Sequence, residues 1–177
     1  MPAVHMTASV YLFTDIEGQW RIGLIEHPRL GDWMIPGGHV EDEMPSDAAL
    51  RETAEETGRL ARLLAPPGLA MPEGYPHPLV GSPWCIVRMP VAPDRYLPTK
   101  HIHEDHQYVA IADDPHQEAR PAEHPFRWVA AGELAQLRIP AGTVLVARHL
   151  FALLDRQAID VGAGHREPAP GSRASLS

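Results

Sequence analysis

Glu52, Glu55 and Glu56 stand three and four positions apart along the chain. On a helix that spacing turns all three carboxylates to one face. Like charges so placed repel by roughly 0.2–0.5 kcal/mol per exposed pair, a cost that a bound cation offsets. Ligands made only of carboxylate oxygen suit Mg²⁺, with Mn²⁺ as a possible substitute. Arg51 lies beside the cluster and forms an i,i+4 pair with Glu55, and Gly37-Gly38-His39-Val40-Glu41-Asp42-Glu43 precedes it as a glycine turn. Divalent ions held by such a face neutralise phosphate oxygens, acidify water and align attacking and leaving oxygens, the requirements for hydrolysing a pyrophosphate. The alternative is a solvated helix face whose charges merely pair with one another.

A second concentration of polar chemistry is His101-Ile102-His103-Glu104-Asp105-His106. If the segment is extended, His101, His103 and Asp105 face the same way and could bind a metal or contact phosphate. A hydrogen-bonded strand edge is the structural alternative. No spaced His/Cys partner set accompanies them in sequence, which argues against zinc. Trp33, Trp84 and Tyr108 offer flat surfaces on which a nucleobase could stack, with core packing the alternative for each. His39 falls between the glycine turn and Glu41, where substrate phosphates are expected. Cys85 is the only cysteine, so no intrachain disulfide can form, and a buried inert thiol is expected.

These residues need a scaffold. Residues 7–14 and 20–26 read as a strand pair joined by a turn at Asp15-Ile16-Glu17-Gly18, and residues 33–35 as a short apolar segment. The acidic helix is expected to start near Ser46 as N-cap and to end at Gly58 in the left-handed position. Ala49, Leu50, Thr53, Ala54 and Thr57 give it a small apolar side for packing on a sheet. Residues 65–83 form a Pro- and Gly-rich excursion and residues 113–125 a polar loop. Residues 84–91, 107–112 and 126–129 read as strands, 131–137 as a short helix, and 143–157 as an amphipathic helix. Residues 1–160 therefore form one domain, and residues 161–177 are a tail with the composition of a disordered segment.

The run Gly37-x5-Glu43-x7-Arg51-Glu52-x2-Glu55-Glu56-x-Gly58 resembles the Nudix box. Its surroundings are similar to that family too, with Trp33-Met34-Ile35-Pro36 leading in and Phe126-Arg127-Trp128-Val129 leading out. The resemblance implies a Nudix-type α/β/α sandwich with a mixed central sheet. It implies Glu55 and Glu56 as core metal ligands, Glu52 as a further ligand or the group that orients and deprotonates water, and Arg51 as the residue that holds Glu52. The carbonyl of Gly37 or Gly38 would face the metal. Glu123, with Glu118 second, would supply an added carboxylate, and His39, His103, Asp105, Trp33, Tyr108 and Trp84 would contact substrate. Thr53 and Arg59 replace the bulky aliphatic residues of the box, and in the register that uses Gly38 the loop to Glu43 is one residue short.

The implied activity is Mg²⁺-dependent hydrolysis of a nucleoside diphosphate linked to another moiety X, releasing a nucleoside monophosphate and phosphorylated X. A Nudix enzyme acting on a non-nucleotide diphosphate is one alternative, and a silent nucleotide-binding sensor domain is another. A homodimer is compatible with the resemblance. The net charge of −8 gives no bulk attraction for a nucleic acid polymer or an anionic membrane, so a small diphosphate is the expected partner. The sequence has no apolar run long enough to span a bilayer and opens without a signal-peptide pattern. Together with the lone cysteine, these features make a cytoplasmic location the expectation.

Overall fold

A computed structural model describes residues 2–68, 72–77, 79–94 and 96–162. The expected tail therefore lies outside the described residues beyond position 162, as do residues 69–71 and 78 of the Pro-rich excursion. The chain runs β1 (Val4–Ile16), β2 (Gln19–Glu26), β3 (Trp33–Met34), β4 (Gly37–His39), α1 (Pro45–Thr57) and β5 (Arg62–Leu63). It continues through β6 (Cys85–Val91), β7 (His101–Ile111), β8 (Phe126–Ala130), a 3-10 turn (Ala131–Gln136) and α2 (Ala141–Asp155).

All eight strands join one sheet with the central order β3-β2-β1-β7-β5, while β4 pairs with β1, β6 with β7 and β8 with β2. The β1–β7 pair is parallel and the others are antiparallel, so the sheet is mixed. The first hairpin is tighter than expected. Only Glu17 and Gly18 turn the chain, both at positive φ, which suits a two-residue hairpin, and β1 keeps Asp15 and Ile16.

Side-chain alternation sends successive β1 residues to opposite faces. Tyr11 and Phe13 join Ile22, Leu24, Val109 and Ile111 beneath Leu150, Phe151 and Leu154 of α2. Ala8, Val10 and Leu12 join Tyr108 and Ala110 beneath Ala48 and Ala49 of α1. The result is helix, sheet, helix, as the resemblance implied. Alanines on both sides of the α1 contact let the helix sit close to the sheet.

Several expectations need correction. Met44, not Ser46, is the N-cap of α1, with Pro45 at the first helical position and Ser46 buried. Gly58 does take the left-handed conformation (φ 72°) that ends the helix. Residues 37–39 form a strand rather than a free turn. The strand expected at 107–112 begins six residues earlier, at His101. Cys85 is exposed on β6, not buried.

Candidate active site

The glutamate face of α1 stands against β4. Pro36 and Val40 bond to β1, through Val10 N–H to the Pro36 carbonyl and Val40 N–H to the Met6 carbonyl. By strand alternation Gly38 also faces β1, while the backbone groups of Gly37 and His39 point away from it. The Gly37 N–H accordingly donates to Glu56 Oε2 at 2.9 Å, and the His39 carbonyl accepts from Arg51 Nη2 at 3.1 Å. The Gly37 carbonyl lies on that same outward side.

Both glycines are required sterically. A Cβ on Gly38 would come within 2.4 Å of the Glu52 carboxylate, and one on Gly37 within 2.5 Å of the Ala8 carbonyl.

Arg51 is the hub of the cluster. It donates to Glu43 through Nε (2.9 Å) and Nη2 (2.7 Å), and through Nη1 to Glu52 (2.7 Å) and Glu55 (3.0 Å). These bonds hold the Glu43 carboxyl below the usual carboxylate range. Burial raises the Glu52 pKa despite Arg51. Glu56 is the most perturbed of the carboxyls: burial, opposed by the Gly37 N–H and reinforced by the charges of Glu52, Glu123 and Glu55, pushes it up to about 8. A buried carboxylate facing three others fits a hard divalent cation, since positive charge relieves both the desolvation and the repulsion.

Sequence reasoning missed two members. The segment after β7 wraps the end of α1, where the Glu123 N–H donates to the Glu55 carbonyl (3.0 Å) and the His124 N–H points at the Glu56 carbonyl (3.4 Å). This brings Arg120 Nη1 to 3.2 Å from Glu55 Oε1 and His124 Nε2 to 3.5 Å from Glu56 Oε1. Glu123 reaches the same group, 3.8 Å from Arg120. Glu118 turns away to pair with Arg59 at 3.5 Å. Nothing local marks Arg120 or His124, because only the return of the loop to α1 places them.

Gly58 is the pivot of that return. A Cβ there would lie 2.5 Å from the Arg120 carbonyl, on a residue already at positive φ. Gly58→Ala is expected to cost about 1–2 kcal/mol of stability. It should also lower activity by displacing Glu123 and His124. Thermal denaturation alongside steady-state assays checks both, and an unchanged melting temperature would contradict the strain.

The box departures have local explanations. The Thr53 hydroxyl, fully buried, donates to the Ala49 carbonyl, so the polar atom is satisfied inside the helix. The Arg59 guanidinium lies over the Phe126 ring at 5.4 Å.

Other expected substrate contacts fall elsewhere. Tyr108 is 1% exposed beneath α1 and offers no surface for stacking. Asp105, equally buried, accepts from the Thr7 and Ser9 hydroxyls and the Gln107 amide, each at 2.9 Å, and serves the interior. The Trp84 indole N–H is committed to the Leu64 carbonyl and its ring packs on the α2-side core. Trp33 is half-buried, with the Arg127 guanidinium 5.5 Å from its ring. His39 and His103 meet on the sheet face opposite α1, their ring centroids 4.9 Å apart.

A model of the NUDIX domain matches residues 4–150. A Lactococcus lactis subsp. cremoris (strain MG1363) protein named "Probable DHNTP pyrophosphohydrolase" is 31% identical over 126 residues, 71% of this chain. The chain spans 63% of that relative's length. Among solved structures, a NUDIX-family hydrolase from Clostridium perfringens superposes with a TM-score of 0.63 at 22% identity, over 85% of this chain and 97% of that one. A C. elegans Ap4A hydrolase gives 0.58 at 17% identity, over 86% and 99%. The NUDIX domain of Shewanella oneidensis NrtR, solved with ADP ribose, gives 0.57 at 20% identity, over 87% and 90%. At these identities the structural likeness establishes the fold alone.

Proposed function

Since the chain belongs to the NUDIX family, we propose that it is a divalent-metal-dependent pyrophosphohydrolase acting on a nucleoside diphosphate linked to a further group. The observation that carries this is the Glu56 carboxylate, buried among Glu52, Glu55 and Glu123 with its pKa pushed to about 8. Such a group belongs where a cation is meant to bind. The named relative supports a pyrophosphate as the bond broken, and the Ap4A and ADP-ribose neighbours support a nucleotide-derived substrate.

Glu52, Glu55 and Glu56, the Gly37 carbonyl and, from the returning loop, Glu123 would hold the ion. Mg²⁺, or Mn²⁺ in its place, would supply charge neutralisation of the phosphate oxygens and acidification of water. Arg51 fixes Glu52 and Glu55 through one nitrogen, so the two carboxylates keep their spacing as substrate arrives. Glu52, with its pKa raised by burial, is suited to take a proton from the attacking water. Water oxygen bonds to phosphorus, the anhydride P–O bond breaks, and the nucleoside monophosphate and the phosphorylated group depart. Arg120 stands where its positive charge can meet an anionic substrate at the rim, with the His124 imidazole beside Glu56.

The test is a panel of nucleoside triphosphates, dinucleotides, nucleotide sugars and DHNTP, with products identified by mass and Mg²⁺ varied. Cleavage within the anhydride, dependent on Mg²⁺, is the expected outcome; metal-independent turnover, or none on any member, overturns the proposal. Glu52→Gln should lower kcat by about 10²–10³-fold while changing KM little. An equal loss in binding and kcat would assign Glu52 to ground-state binding instead.

A further inference from the structure

The histidines gathered on the other face of the sheet are not used by that chemistry. Next to Gly38, which packs on Glu52, His39 points to the opposite side of β4. There it meets His103 of β7 and Asp94 of the β6–β7 loop, and His101 of β7 lies against those two. We propose that His39, Asp94, His101 and His103 form a binding site for a divalent transition-metal ion of the zinc class, separate from the glutamate site.

The donor geometry carries the assignment. His101 Nε2 lies 3.1 Å from His103 Nε2 and 3.4 Å from Asp94 Oδ2, and His103 Nε2 lies 3.7 Å from that same oxygen. A tetrahedral ion with bonds of about 2.0–2.1 Å separates its donors by about 3.3–3.4 Å. Three donor atoms thus already mark one triangular face of a tetrahedron. His39 brings a further donor, within 4.8 Å of those of Asp94 and His103.

Two of the donors are oriented from behind. His101 Nδ1 lies 2.9 Å from the Thr99 carbonyl, which can only accept. Nδ1 therefore carries a proton and Nε2 is turned toward the cluster, the orientation that outer-shell carbonyls impose on metal-ligating histidines. Asp94 Oδ1 accepts the N–H groups of Tyr96 (2.8 Å) and Leu97 (2.9 Å), leaving Oδ2 toward the imidazoles. Those bonds hold its pKa to about 2, so the carboxylate is anionic at any working pH.

Ligand chemistry selects the ion. Three imidazoles with one carboxylate suit Zn²⁺ and its neighbours and are poor ligands for Mg²⁺, which prefers oxygen. The anionic Asp94 disfavours a phosphate in the same place. The H-x-H pair was legible in sequence, but its partners come from other elements, which is why the sequence appeared to lack a zinc set. His39 links the site to the catalytic face through its carbonyl, which accepts from Arg51.

The test is calorimetric titration of Zn²⁺ into the full chain in excess Mg²⁺, with X-ray absorption at the zinc edge. One Zn²⁺ per chain with an imidazole-bearing first shell is expected, retained in Glu56→Gln. His103→Gln should weaken Zn²⁺ binding by at least about tenfold. Asp94→Asn should do the same while its side-chain carbonyl keeps the bonds to Tyr96 and Leu97, so the loop stays folded; an unchanged circular dichroism spectrum checks this. An all-oxygen shell, no Zn²⁺ binding, or binding lost in Glu56→Gln but untouched by Asp94→Asn would each overturn the assignment.

Discussion

Glu56→Gln is expected to lower kcat/KM on the order of a thousandfold while making the metal-free protein more stable. The two effects have one origin. In the metal-free fold the Glu56 carboxyl is raised from its ordinary 4.5 to about 8 by burial and neighbouring carboxylates. The folded state therefore holds this proton more tightly than the unfolded chain. Below pH 4.5 both states are protonated, and folding carries no penalty from this group. Between 4.5 and about 8 the unfolded chain ionises while the folded one does not, and stability falls; above about 8 the penalty is complete. Glutamine carries no charge and can still accept the Gly37 N–H. The variant should gain up to about 5 kcal/mol over wild type at the alkaline end and nothing at pH 4. Melting temperatures in chelator across that range measure the gain, and added Mg²⁺ should stabilise wild type far more than the variant. A variant no more stable than wild type at pH 8.5, or one that turns over normally, would remove Glu56 from the ion-binding role.

Arg51→Ala should be the most disruptive change at the site that leaves every carboxylate in place. The guanidinium satisfies Glu43, Glu52 and Glu55 and the His39 carbonyl at once. Its loss leaves three partly buried carboxylates facing one another beside Glu56. A stability loss of about 2–3 kcal/mol is expected, given that the side chain is 30% exposed and water screens part of the repulsion. Activity should fall by roughly a hundredfold or more, because Glu52 and Glu55 lose their spacing. Arg51→Lys should recover only part of either, since one ammonium cannot make the forked set of bonds. Denaturation and steady-state kinetics with and without Mg²⁺ decide the matter. Wild-type behaviour of Arg51→Ala would reduce its contacts to a solvated helix pair.

Part of this site was legible because it is local. Helix periodicity fixes that Glu52, Glu55 and Glu56 share a face with Arg51 among them, whatever lies around them. Gly58 ends the helix for reasons internal to its own backbone, and runs of β-branched, aromatic and other apolar residues broken by Asp15-Ile16-Glu17-Gly18 marked the strands of the first hairpin. The three-layer order followed from the box and its flanks. Met44 displaced Ser46 as N-cap because proline at the first helical position fixes the start of α1 two residues earlier than a Ser46 cap would.

What sequence alone determined, then, is the chemistry of one helix face: four charged groups at set spacing, suited to a hard cation and a phosphoric anhydride. Tertiary structure decided everything that depends on which distant segments meet. It turned the Gly37 N–H toward Glu56, and buried that carboxylate deeply enough to shift its proton. It folded the 113–125 loop back so that Arg120, Glu123 and His124 join the site. It also buried Tyr108 and Asp105, and assembled His39, Asp94, His101 and His103 from three elements on the opposite face. Helical spacing is set by bonds along the chain, so a reader of residues can see it. Burial, strand pairing and the return of a loop arise from contacts between residues far apart in sequence, and those exist only once the sheet has formed.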